Sequence, residues 1–165
     1  MDDAFFGGGS GGDKRGRGTN KTPVLIEAST QGEAVGFARM SVVDHVDQKT
    51  VTNIVEKDVK PGETIRTDGW SAYPAVEKLG YRHQPWVDLQ PEEIKTVLNW
   101  VHTLSSNAKA FLLGTFHGIG KKHLQAYLDE FTYRFNRRQW EGQLFDRVVT
   151  ACANSTGLTS SELTR

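Results

Sequence analysis

ETIRTDGWSAYPAVEKLG, residues 63–80, carries three structural instructions in one stretch. Thr64, Ile65 and Thr67 are β-branched and predict a short strand. Asp68-Gly69 predicts a turn, because Asp tolerates turn geometry and Gly supplies a positive φ. The run from Ser71, closed by Gly80 at a C-cap position, predicts a short helix. Asp68 therefore stands at the carboxyl end of a strand and just ahead of a helix, where open α/β sheets carry their functional groups. Taken alone, Asp-Gly is an ordinary turn; a catalytic reading needs a second carboxylate.

Working outward, TPVLIEAS and AVGFARMSVVD predict two strands joined at TQGE into a hairpin. TVTNIVEKDV spaces Val51, Ile54 and Val55 as one face of a helix, and YRHQPWV predicts a further strand. The second half is helical. Ile94, Val97, Leu98, Val101, Leu104, Ala108 and Leu112 recur at three- and four-residue steps, with Pro91 suited to the first turn and Gly114 to the end. Leu124, Tyr127, Leu128, Phe131 and Phe135 mark a second helix, and Leu144, Phe145, Val148 and Val149 a third with those residues inward. The order predicts an α/β domain over residues 1–140, followed by a C-terminal helix and tail over 141–165.

Composition narrows the class. The 165 residues suit one core, and 24% charged against 37% apolar residues is the balance of a soluble protein. No apolar run approaches the ~18 residues of a membrane span, and no signal-peptide pattern opens the chain. Cys152 is the lone cysteine, which excludes an internal disulfide and a multi-thiolate zinc site and suits a cytoplasmic setting. Formal net charge is zero, so affinity for nucleic acid must come from local patches. Lys14, Arg15 and Arg17 lie in the glycine-rich segment 7–20, which reads as a flexible basic loop or a plain linker. Lys121, Lys122, Arg134, Arg137 and Arg138 form the later patch, suited to DNA phosphates or to a solvated helix face.

Asp2 and Asp3 open the chain in DDAFFGG. Together with GRG, with TDGWSAY, and with GTFHGIGKKHLQAYLDEFTYRFNRR, this pattern resembles the catalytic domain of DDE-type bacterial insertion-sequence transposases of the ISXO kind. The resemblance implies a ribonuclease H-like fold: a mixed sheet of about five strands flanked by helices. It implies that Asp2 and Asp68 are the first two catalytic aspartates, with Asp3 the next acidic position, and that they hold Mg²⁺ or Mn²⁺. It also implies DNA as partner, both transposon ends and target, a homo-oligomer when active, and a nucleoid-associated location. The expected reaction is metal-dependent strand cleavage and strand transfer, since two hard cations about 3.5–4 Å apart can serve both phosphodiester steps.

At the third acidic position the chain departs from its relatives, many of which carry a glutamate about two turns ahead of a lysine. Counting back seven from Lys109 gives His102. Seven residues turn a helix by about 700°, so His102 and Lys109 fall on nearly the same side. His102 is thus the preferred third site residue and Lys109 a phosphate-binding partner, with Asn107 the alternative. Histidine is softer than Mg²⁺ usually takes, which leaves hydrogen bonding or proton transfer beside coordination. Only Met1 precedes Asp2, and the paired cysteines of a zinc ribbon are absent, so the sequence is expected to be an N-terminally truncated transposase. The rival expectation is a catalytically dead remnant that binds nucleic acid non-specifically.

Overall fold

The computed structural model describes residues 1–7, 21–32, 34–86, 98–116 and 119–157. Strand β1 (Asp2–Phe6) pairs antiparallel with β2 (Thr22–Gln31), and β2 pairs antiparallel with β3 (Ala34–Val42). Helix α1 (Gln48–Asp58) follows, capped by Asp47, whose side chain accepts from the Thr50 amide at 2.8 Å. Then come β4 (Thr64–Thr67), a 3-10 helix (Tyr73–Leu79) and β5 (Arg82–Pro85), with β5 parallel to β4. The Met1 amino group donates to the Arg66 carbonyl at 2.7 Å, which sets β4 beside the start of β1. The strands form two hydrogen-bonded sheets, a three-stranded one in the order β1-β2-β3 and a two-stranded one, β4-β5, which the Met1 bond sets side by side. The five strands and the helices that flank them agree with the expected mixed α/β class, an antiparallel set of three lying beside a parallel pair.

Alternation along the strands sends side chains to two separate cores. Phe6, Val24, Ile26, Ala38 and Met40 pack on one face against α2 (Asn99–Phe116) and α3 (Lys121–Asn136), through Val101, Leu104, Ala108, Leu124 and Leu128. On the other face Leu25 and Ile65 meet Val51 and Val55 of α1 and Tyr73, Val76 and Tyr81. Residues 73–79 form a 3-10 helix ended by Gly80 in the left-handed region, φ 84°. Gly114, expected to stop α2, lies inside it, and the helix runs on to Phe116. The expected start of that helix at Pro91, with Ile94 and Val97, falls outside the described residues, as do Lys14, Arg15 and Arg17.

A short 3-10 segment (Arg138–Gln143) leads to α4 (Leu144–Asn154). The expected inward face is not inward: Phe145 is 77% and Val149 49% exposed, and Val148 is exposed too. The helical period was right, but no part of the described sheet or helices covers that stripe.

Edge strand β3 is closed by side chains instead of by another strand. Gln125 accepts from the Val42 amide and donates to the Met40 carbonyl, at 2.7 and 2.9 Å. Asn136 does the same at Ala38, accepting at 2.7 Å and donating at 2.8 Å. Arg138 donates to the carbonyls of Val35 (2.6 Å), Gly36 (3.2 Å) and Phe135 (2.9 Å). These bonds satisfy backbone groups that would otherwise offer a template for edge-to-edge pairing. Asn136→Ala should therefore cost about 1–3 kcal/mol in urea unfolding, whereas Phe145→Ser should stay within about 0.5 kcal/mol of the unchanged chain. Equal losses in the two variants would refute this account.

Candidate active site

Asp2 owes its position to a ladder that runs the length of β1, from Asp2 opposite Ile26 to Phe6 opposite Thr22. Asp68 owes its position to a local turn. Gly69 takes φ 81°, and the Asp68 Oδ1 accepts from the Trp70 amide at 3.1 Å. With β4 beside β1, one carboxylate oxygen from each of Asp2, Asp3 and Asp68 lies within 4.8 Å of the others. Asp2 is buried, Asp3 half-buried and Asp68 exposed, so the cluster opens to solvent on the Asp68 side.

Electrostatics marks the cluster. Burial, then the neighbouring Asp68 charge, pushes the Asp2 carboxyl up to about 6, against the hydrogen bond that its Oδ1 accepts from the Asp3 amide at 2.8 Å. Three hard oxygen donors this close, with one partly protonated because its charge is uncompensated, fit a hard divalent cation. A shift of this origin in an open site is the kind that accompanies function.

His102 projects from α2 toward the same place: its Nδ1 lies 3.9 Å from the Asp2 Oδ2, at ion-pair range and beyond a hydrogen bond. Asn107 is exposed, and among the described residues no bond joins it to the aspartates. Lys109, one heptad on, stands at the far end of β1 with its Nζ 5.2 Å from the Phe6 ring centroid. Partial burial, then the charge of Lys21, lowers its pKa. Asp3, named from the sequence as the next acidic position, joins Asp2 and Asp68 in the cluster.

The profile of the ISXO2-like transposase domain matches residues 1–136, from the first strand through the whole of α3. The chain belongs to the ISXO2-like transposase family. Membership makes DNA its partner class, and families of this kind work with divalent metal ions. An uncharacterised transposase-like protein of Haemophilus influenzae is 28% identical over 104 residues, 62% of this chain and 84% of that one. The catalytic core domain of BIV integrase is 14% identical with a TM-score of 0.49, covering 72% of this chain and 78% of that one. Among the described residues no helix is long and apolar enough to cross a membrane.

The basic stretch after the transposase core is partly occupied by the fold. Arg134 pairs with Glu130 at 2.6 Å, and Arg137 lies 3.6 Å over the Tyr133 ring. Arg138 donates to two backbone carbonyls of β3, Val35 and Gly36, and to that of Phe135 in α3, and its guanidinium lies over the Phe135 ring. Lys121 meets Asp44 at 2.8 Å with both side chains exposed, which leaves it free to exchange partners.

Because the folded-state value of Asp2 lies above the ordinary carboxyl value of 3.8, protonation favours the folded chain, and that stability is lost as pH rises through about 6. Glu27, its carboxyl oxygens buried and its pKa pushed up to about 7 by burial first and by Asp58 second, adds the same trend. Metal-free protein should thus melt at a higher temperature at pH 5 than at pH 8. Added Mn²⁺ should raise the melting temperature more at pH 8, and Asp2→Asn should stabilise the metal-free chain at pH 8 while abolishing most of that Mn²⁺ effect. The Met1 amino group and His83, whose pKa values burial lowers, contribute the opposite trend, so the comparison is with Asp2→Asn: an equal change in melting temperature from pH 5 to pH 8 in that variant and in the unchanged chain would contradict the assignment.

Proposed function

We propose that this transposase domain cuts and joins DNA at the Asp2, Asp3 and Asp68 cluster with Mg²⁺ or Mn²⁺. The observation that carries the reading is the approach of those three carboxylates from two strands remote in sequence. A bound cation pair of this kind activates an attacking hydroxyl and stabilises the leaving oxygen of an in-line phosphodiester displacement. Both chemical steps are phosphoryl transfers: water attacks first, releasing a 3′-hydroxyl at the element's end, and that hydroxyl then attacks a target phosphodiester.

The chain's own groups divide the remaining tasks. Asp2, Asp3 and Asp68 supply the oxygens that hold the cation, with Asp68 on the solvent side where DNA approaches. His102, beside Asp2, is placed to hold or pass a proton, or to bond a phosphate oxygen, without adding negative charge. Lys109 lies along β1 and suits a flanking phosphate, and Lys121 and Lys122 suit the DNA backbone further along α3. The domain reading over 1–140 keeps α4 outside the chemistry, and assembly of several copies around the two transposon ends belongs to the same proposal.

A second reading has one observation in its favour: His102 stands where many relatives have a glutamate. A remnant that binds DNA without cutting it would keep the fold and lose the reaction. Incubation of the protein with supercoiled plasmid and Mn²⁺ separates the two, nicking being the cleavage readout. Asp2→Asn and Asp68→Asn should each lower nicking at least about 1,000-fold, since the variant loses an oxygen that holds the ion. His102→Ala should impair it more than Asn107→Ala does. If wild type nicks no faster than Asp68→Asn, the remnant reading stands; if Asn107→Ala is the worse variant, the role given to His102 is wrong.

A further inference from the structure

Thr67 is the residue before Asp68, and it is fully buried. Its Oγ1 accepts from the Gly69 amide at 3.2 Å and lies 2.9 Å from Nε2 of His83. His83 stands on the neighbouring strand opposite Ile65, and its ring reaches two residues along the same face to meet Thr67. Only 2% of the His83 side chain is exposed, and its Nδ1 lies 3.8 Å from the Glu77 Oε1 in the 3-10 helix. Three elements, β4, β5 and the 3-10 helix, therefore converge beneath the Asp68 turn.

The neighbouring charge favours one direction for the chain of bonds. Burial lowers the His83 pKa, against the Glu77 charge, so the ring carries one proton at neutral pH. The Glu77 carboxylate, 3.8 Å from Nδ1, favours the tautomer with the proton on Nδ1, which makes Nε2 the acceptor. The Thr67 hydroxyl then donates its one hydrogen to Nε2 and offers a lone pair to the Gly69 amide. That amide belongs to the residue at φ 81°, where the backbone must stay in the left-handed region for Asp68 to face β1.

We infer that Thr67 and His83 are positioning residues for Asp68, a buried hydroxyl–imidazole pair that fixes the turn so that the second carboxylate meets the cation at a set distance from Asp2. The inference rests on the reading of Asp68 as a metal ligand. A buried histidine of this kind needs no contact with DNA or metal: it acts through Thr67, as groups behind metal ligands commonly do, where their loss weakens binding about 10–100-fold.

Mn²⁺ titration of the full chain by calorimetry, with circular dichroism at the same temperature to verify folding, tests it. Thr67→Val removes the hydroxyl at nearly constant volume, and His83→Phe removes the acceptor; each should weaken Mn²⁺ binding about tenfold. Thr67→Ser, which keeps the hydroxyl, should bind within about twofold of wild type, and the double variant should bind no more weakly than either single one, because the two act as a unit. A purely structural role would lower the urea midpoint of Thr67→Val and leave the Mn²⁺ affinity of the folded protein unchanged. Asp68→Asn separates the layers. If it binds Mn²⁺ as wild type does, the metal reading itself fails; if it loses binding while Thr67→Val and His83→Phe retain theirs, the positioning role alone is overturned. Nitrogen-15 spectra of His83 in the unchanged chain need no variant to fold: a bare Nε2 with a protonated Nδ1 at neutral pH supports the chain of bonds, and a protonated Nε2 overturns it.

Discussion

Two carboxylates that repel each other are held close together where two small sheets meet, and most of the structure serves that constraint. Asp2 and Asp68 are separated by 66 positions, so only the adjacency of β1 and β4 brings them together. Each strand is fixed from its far side: β1 by its five-residue register on β2, and β4 by its four-residue register on β5. A single ladder hydrogen bond contributes only about 1 kcal/mol net, so the geometry is secured by the set of them together with the two cores. Burial first, and the remaining repulsion from Asp68 second, raise the pKa of Asp2.

The same dependence reaches the C-terminal half. β1 is only as firm as the hairpin it leans on, and the outer strand of that hairpin would be open without α3. Gln125, Asn136 and Arg138 reach across about a hundred positions of sequence to satisfy the β3 backbone. Helical segments that carry no candidate ligand therefore stiffen the sheet that carries two. Thr67 and His83 repeat the principle on the other side, where a buried polar pair holds a turn that local propensity alone would leave with several geometries.

What could be read in the sequence follows the range of the interactions involved. The strand–turn–helix at 63–80, the hairpin and α1 are set by neighbours a few residues apart, and each was legible from β-branching, Gly placement and helical spacing. By residue pattern alone β1 was not legible, because DDAFF opens with two poor strand formers and takes its conformation from β2. Gly114 misled for a related reason. A helical glycine costs only about 1 kcal/mol, and contacts of Phe111 and Phe116 with Phe131 and Tyr127 carry α2 past it. For α4 the period was legible but the partner was not, since amphipathicity says that a face is apolar and nothing about what meets it. The charge of Arg138 was equally plain, while its carbonyl partners lie at 102 and 103 residues' separation.

The site divides in the same way. Asp68 could be placed by its turn, whereas Asp2 and His102 needed the family resemblance, because nothing local distinguishes an acid at a chain's opening or a histidine on a helix flank. Asp3 was named beside Asp2 from the resemblance, but its approach to Asp68 needed the structure, since alternation along a strand makes adjacent residues poor candidates for one site. Its presence bears on the missing glutamate. Asp2 reaches about 6 under burial and then the charges of Asp68 and Asp3. Another carboxylate on α2 would push in the same direction and would make the metal-free cluster costlier still. A histidine at 3.9 Å adds no negative charge and, when protonated, relieves some. The set of Asp2, Asp3, Asp68 and His102 is therefore electrostatically coherent as it stands: three oxygens whose mutual repulsion a divalent ion would convert into attraction, and a nitrogen that tolerates the site with or without it.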